Sequence, residues 1–209
     1  MFQTEPILWL QAHASPALTW LMSVVTLLGY TPTYVALLLA LAFGFRPRPG
    51  LGVALALLAS VILTEGLKSG LALPRPIDVD SRVAALGFVP RASPAASVTR
   101  GGAGTFWGLP APEAIAAVRS RPGANYGFPS GHASAAVAFV LATALFYRWT
   151  RLASVGLVWP LLMALSRMYL GRHFLADVLG GLALGCVAVG ISALLLRGLA
   201  RLSRAAPSA

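Results

Sequence analysis

Between Pro6 and Phe45 the chain carries no Asp, Glu, Lys or Arg, and the stretch from Val178 to Leu196 is equally free of them. About 20 consecutive apolar residues suffice to cross a hydrocarbon core of roughly 30 Å, so both runs are long enough to span a membrane. A chain of 209 residues that is 57% hydrophobic and only 11% charged has the balance of a protein whose solvent is mostly lipid. No Lys or Arg precedes the first apolar run, and the run is too long for a signal core, so residue 1 is expected to remain in the mature protein.

Punctuation divides the chain into helical passes. Gly29-Tyr30-Thr31-Pro32, Arg46-Pro47-Arg48-Pro49-Gly50, Arg148 to Arg151 and Arg197 all interrupt the hydrophobic pattern. The expected fold is an all-α integral membrane bundle of about six transmembrane helices, near 10–29, 33–46, 51–72, 129–147, 152–168 and 174–197, forming one domain over 1–209. Residues 4–13 also fit a helix lying in the interface, which leaves five crossings as an alternative. Under the six-pass reading Arg46, Arg48, Arg148, Arg151, Arg197, Arg201 and Arg204 share one side, which an excess of basic residues marks as cytoplasmic. The other side receives a segment of Pro, Gly, Ala and Ser from 73 to 128, between helices 3 and 4. It is expected to be an extended extracytoplasmic loop, with one short helix around Pro112 to Arg119, serving either as a lid or as a tolerated insertion.

The lone Cys186 rules out a disulfide framework and a thiolate metal cluster within the chain. A formal charge of +10 raises the question of nucleic acid, but the arginines are scattered between apolar spans and never alternate with aromatics on one face, so no nucleic-acid partner is expected.

Ionisable residues near membrane depth need a reason, and here they gather in three clusters at the outer ends of the passes. Lys68, the only lysine among 16 basic residues, stands seven positions before Arg75-Pro76. Two helical turns separate them, so both can face one way; Lys68 also fits a plain helix ion pair with Glu65. Next comes Phe128-Pro129-Ser130-Gly131-His132 at the start of a pass. Proline at a first helical position followed by Ser130 and Gly131 exposes backbone N–H groups suited to phosphate oxygens. His132 then stands where it can protonate a leaving group, or simply sits as an interfacial histidine. The third cluster is Ser166-Arg167, His173 and Asp177. A spacing of four lets the Asp177 carboxylate orient the His173 imidazole as a nucleophile, and Arg167 offers a planar fork for phosphate; a helix cap and a snorkelling arginine are the structural alternatives. His132, His173 and Asp177 are legitimate metal ligands, but Lys68, Arg75 and Arg167 around them repel a cation and attract an anion, so no metal is expected.

Taken in order, Lys68-x6-Arg75-Pro76, Pro129-Ser130-Gly131-His132 and Ser166-Arg167-x5-His173-x3-Asp177 resemble the three-part signature of the type-2 phosphatidic acid phosphatase family, with every signature position filled. The resemblance covers about Lys68 to Gly185. It implies a six-helix membrane fold and hydrolysis of a lipid phosphate or diphosphate without metal or other cofactor. By that likeness Lys68, Arg75, Ser130, Gly131, His132 and Arg167 bind phosphoryl oxygens, His173 attacks phosphorus, Asp177 orients it and His132 protonates the departing alkoxide. The expected location is the inner membrane, with the site facing periplasm or exterior. The long 77–127 segment departs from many bacterial relatives. A lipid phosphotransferase is a close rival, and a transporter or lipid-binding protein a rival of another class; the lipid itself and the oligomeric state are not legible.

Overall fold

The computed structural model describes residues 1–88 and 101–205. Among them no strand occurs, and the regular elements are α1 (Glu5–Ala12), α2 (Pro16–Leu27), α3 (Thr31–Gly44), α4 (Pro47–Leu71), α5 (Pro76–Val79), α6 (Pro112–Arg119), α7 (Gly131–Phe146), α8 (Thr150–Gly156), α9 (Val158–Tyr169) and α10 (Leu175–Ala205). Two of these, α4 and α10, are long and apolar enough to cross a membrane; α2 and α3, which meet at 57°, pass the same test only as a bent pair.

The first expected pass is divided. Residues 10–15 do not continue into α2, because Ser15 adopts an extended conformation and accepts a hydrogen bond from Leu18 N–H at 3.2 Å, with Pro16 opening the new helix. A serine cap followed by proline is a start signal, and it outweighs the unbroken hydrophobicity around it. The fifth expected pass is likewise two pieces, α8 and α9, broken at Leu157. Pro129 lies outside α7, in a cis peptide bond with Phe128, and not at the first helical position; Ser130 is the N-cap and its N–H donates to Asp177 O at 2.8 Å. The chain before α7 is thus held against the start of α10 instead of joining the helix.

Helices α4, α7 and α10 form the centre. Ser60 Oγ and Ser134 Oγ lie 2.7 Å apart, while Tyr147 Oη donates to Arg46 O at 2.9 Å, so α4 and α7 run antiparallel. A Cβ added at Gly181 would strike Ser130 O and one at Gly185 would strike Ser134 O, so α10 runs parallel to α7 at close range. Glycine at these two positions is what lets the backbones approach. In consequence the C-terminal end of α4 and the N-terminal ends of α7 and α10 meet at one end of the bundle. Arg46, and Arg148 just beyond α7, lie at the other.

The segment between α4 and α7 is more than the extended loop expected from its composition. It contains α5 as well as the anticipated α6, and it buries Ile77, Val79, Val83, Ala103 and Ala114 in a common cluster with Phe2, Ile7, Leu73 and Phe174. Alone it holds too few apolar residues for a core; with the N-terminus and the start of α10 it has enough. Thr4 Oγ1 donates to Asp80 Oδ2 at 2.7 Å, and the Arg82 guanidinium grips the same carboxylate through Nε at 3.0 Å and Nη2 at 2.7 Å. Residues 89–100 of that segment lie outside the described residues.

Candidate active site

A cavity of about 280 Å³ opens at the end of the bundle where α4, α7, α9 and α10 converge, and Lys68, Arg75, Gly131, His132, Arg167 and His173 all line it. Each arrives from a different local device. Helix α4 carries Lys68 in its last turn and stops at Ala72, which takes a left-handed conformation (φ 47°) and turns the chain towards Pro74. Arg75 is the N-cap of α5, its own N–H donating to Asp78 Oδ2 at 3.1 Å. Gly131 and His132 form the first turn of α7. Arg167 sits in the last turn of α9, and Gly171, at φ 69°, makes the turn that brings His173 back into the wall. A side chain at Gly171 would also strike Ala84 O, so glycine is required there twice over.

Two of the anticipated residues stand behind the wall. Asp177 is fully buried and its Oδ2 accepts from His173 Nδ1 at 3.2 Å and from Phe174 N–H at 2.9 Å. The spacing of four therefore produces both the imidazole contact and a cap at the head of α10. Ser130 is fully buried next to Gly131, and its Oγ has no hydrogen-bond partner among the described residues; the same holds for His132 Nε2. Polar atoms buried without a partner are uncommon in folded proteins; Thr64 Oγ1 and Thr143 Oγ1 share the condition without lining the cavity.

Lys68 makes the helix ion pair with Glu65, Nζ to Oε1 3.0 Å, while also lining the cavity. An ammonium has three donors, so one carboxylate does not exhaust it. Burial, reinforced by the nearby Arg75 and Arg167, holds His173 well below the ordinary imidazole range. It is therefore neutral at physiological pH, the form in which a ring nitrogen is a nucleophile. Hydrogen bonding of Nδ1–H to Asp177 leaves Nε2 as the nitrogen with the available lone pair.

The structure adds residues that the sequence reading did not single out. Arg172 lines the cavity as a fourth cation, is 7% exposed, and donates from Nη2 to Leu86 O at 3.3 Å. It stands inside the third motif, immediately before His173, but fills none of the signature positions. Asn125, Tyr30 and Leu86 also line the cavity, and the Tyr30 ring meets the His132 ring edge-on with centroids 4.8 Å apart. Nothing local in the sequence marks them, since they come from the long segment and from the α2–α3 bend. No three His, Cys, Asp or Glu side chains come together as a metal-binding group among the described residues.

A family model described as PAP2 superfamily matches residues 49–200. Over 70 residues the chain is 37% identical to lipid A 4'-phosphatase of Porphyromonas gingivalis, a stretch that is 31% of this chain and 28% of that protein. Over 81 residues it is 38% identical to human sphingosine-1-phosphate phosphatase 2, covering 36% of this chain and 20% of the relative. The matched stretches thus span less than a third of these relatives. Two crystal structures share the fold over nearly the whole chain. Aquifex aeolicus LpxE has a TM-score of 0.62 at 19% identity, covering 92% of this chain and 94% of its own. The first transmembrane PAP2 type phosphatidylglycerolphosphate phosphatase from Bacillus subtilis has a TM-score of 0.63 at 20% identity, covering 93% and 85% respectively.

Proposed function

The chain belongs to the PAP2 superfamily, the family that its three motifs resemble, and on that premise we propose that it is a membrane enzyme hydrolysing a lipid phosphate or diphosphate through a phosphohistidine on His173, without a metal ion. The observation that carries the proposal is the convergence of Lys68, Arg75, His132, Arg167 and His173 on one cavity, from segments more than a hundred residues apart in sequence. The names of the two relatives, lipid A 4'-phosphatase and sphingosine-1-phosphate phosphatase 2, point to the same class of substrate.

In this reaction Lys68, Arg75 and Arg167 hold the phosphoryl oxygens, with the Gly131 backbone completing the cradle at the head of α7; Ser130, expected among the binding residues, stands behind the wall as the N-cap of that helix. His173 Nε2 attacks phosphorus as the bond to the lipid alcohol breaks, and His132 gives its proton to the departing oxygen. His132 then takes a proton from water, whose oxygen attacks the phosphohistidine; inorganic phosphate leaves and His173 returns to its starting form. Asp177 keeps the imidazole in one tautomer throughout. Phosphoryl transfer asks the protein mainly for alignment and charge stabilisation, and a cluster of cations at a helix N-terminus supplies both.

The topology proposed for the whole chain, 1–209, is one phosphatase domain in an inner membrane with five crossings, the alternative left by the sequence. In it α2 and α3 are one bent span and 73–128 is the extracytoplasmic segment between α4 and α7. Six crossings would start the chain at the Arg46 end, whereas Phe2 and Ile7 share a core with Ile77 and Ala114 at the site end. Support for the sidedness comes from charge. The site lies at the end of the bundle away from Arg46 and Arg148, and basic connections favour the cytoplasm. The test is phosphate release from a panel of lipid phosphates by purified protein in detergent. Wild type should release inorganic phosphate with EDTA present, and His173→Ala should release none. Full activity of His173→Ala refutes the nucleophile, activity restored only by a divalent ion refutes metal independence, and label appearing in a second lipid instead of phosphate marks a transferase.

A further inference from the structure

The proposed phosphate cradle depends on where the Arg75 guanidinium points, and the structure shows what holds it. Arg75 Nε donates to Asn125 O at 2.9 Å and its Nη2 donates to Asn125 Oδ1, so one residue grips one edge of the guanidinium with both its backbone and its side chain. Two bonds from one partner fix the plane of the group as well as its position. Arg75 is 6% exposed and Asn125 lines the same cavity, so this pairing is part of the wall.

Asn125 is itself held in place. Arg121 Nη2 meets Asp78 Oδ1 at 2.8 Å, and the other oxygen of Asp78 accepts the Arg75 N–H. Gly127 N–H donates to Leu73 O at 2.8 Å, and Arg119 Nη2 to Leu71 O at 2.8 Å. The stretch from Arg119 to Gly127 is thus fastened on both sides of Asn125 to the stretch from Leu71 to Asp78. We infer that Asn125 is a positioning residue for Arg75, and that this gives the segment between α4 and α7 a part in phosphate binding.

The inference rests on the phosphatase reading. An asparagine suits the position because its side chain is neutral: it accepts a hydrogen bond without cancelling the charge that attracts phosphate. Aspartate has the same shape and would accept the bond more strongly, but would neutralise the guanidinium. The two substitutions therefore separate orientation from charge.

The experiment measures binding of inorganic phosphate, together with kcat and KM for a lipid phosphate, using the full chain in detergent. Asn125→Ala should weaken phosphate binding and raise KM about tenfold, as for loss of a hydrogen bond to a charged group, with a smaller change in kcat. Asn125→Asp should weaken binding further. In an Arg75→Ala background Asn125→Ala should be silent within about twofold, because its target is gone, whereas Asn125→Asp still sets a carboxylate in the cavity wall and keeps a cost. If Asn125→Ala costs as much without Arg75 as with it, or if aspartate binds phosphate as well as asparagine does, the inference is overturned. Should Asn125→Ala fail to fold, Asn125→Ser, equally neutral and too short to reach the guanidinium, replaces it in both backgrounds. A wild-type protein that neither binds phosphate nor hydrolyses any lipid phosphate refutes the phosphatase reading itself. Normal wild-type behaviour without the Arg75 dependence refutes only the part given to Asn125.

Discussion

Replacing Asp177 by asparagine should cut turnover without weakening the fold. In the structure one carboxylate oxygen accepts from His173 Nδ1 at 3.2 Å and from Phe174 N–H at 2.9 Å. Asparagine keeps the shape and an oxygen acceptor but removes the charge. A hydrogen bond to a charged group contributes about 1.5–3 kcal/mol against about 0.5–1.5 for a neutral pair. The difference, about 1–2 kcal/mol, corresponds to a five- to thirtyfold loss at about 1.4 kcal/mol per factor of ten. A second effect adds to this. If the amide turns its NH2 towards Nδ1, the ring must carry its proton on Nε2, and the attacking lone pair is lost. The expected outcome is a fall in kcat of roughly tenfold or more, with KM little changed because Asp177 stands behind the cavity wall. Full burial of the residue gives the control: removing a buried charge relieves its desolvation, so the thermal midpoint should hold or rise. The assay is phosphate release under single-turnover and steady-state conditions, alongside thermal unfolding in the same detergent. A kcat within about twofold of wild type, or a loss confined to KM, would refute the orienting role.

Other outcomes follow from the same contacts. Arg172→Ala should lower kcat/KM by roughly tenfold while leaving the thermal midpoint within a few degrees, because it removes one cation from the cavity wall; unchanged kinetics would show that three cations suffice. Gly185→Val should destabilise by about 1–3 kcal/mol, read as a lower thermal midpoint, since even its Cβ would lie 2.8 Å from Val137 Cβ. Burial pushes the Asp80 carboxyl up, but the Arg82 guanidinium and the Thr4 hydroxyl outweigh it and leave the group below its usual value. A carboxyl depressed by folding stabilises the protein above its unfolded pKa, and the contribution disappears as pH falls through the folded one. Wild type should therefore lose part of its thermal stability as pH drops below about 4, and Asp80→Asn should lose less over the same range when midpoints are compared.

Much of the site was legible because its motifs combine residue type with spacing that survives folding. Asp177 bonds His173 because residues four apart share a helical face, and Lys68 and Arg75 reach one cavity because a helix end and a turn separate them. The reading was less secure where two local signals competed. Ser15-Pro16 started a helix inside an apolar run, and Pro129 stayed outside the helix it was expected to open. Lys68 showed that two readings need not exclude each other, since it pairs with Glu65 and still faces the cavity.

Uncharged runs and three ordered motifs were enough, without coordinates, to indicate an apolar helical chain and to name Lys68, Arg75, His132, Arg167 and His173, because hydrophobic length and short-range spacing are properties of the chain alone. What only the tertiary structure decided were contacts between distant segments: Phe2 and Ile7 sharing a core with Ile77 and Ala114, Asn125 gripping Arg75, and Arg172 entering the cavity as a fourth cation. Such contacts depend on which surfaces meet after the chain has packed, and a hydrogen bond between residues 50 apart leaves no periodic trace in sequence.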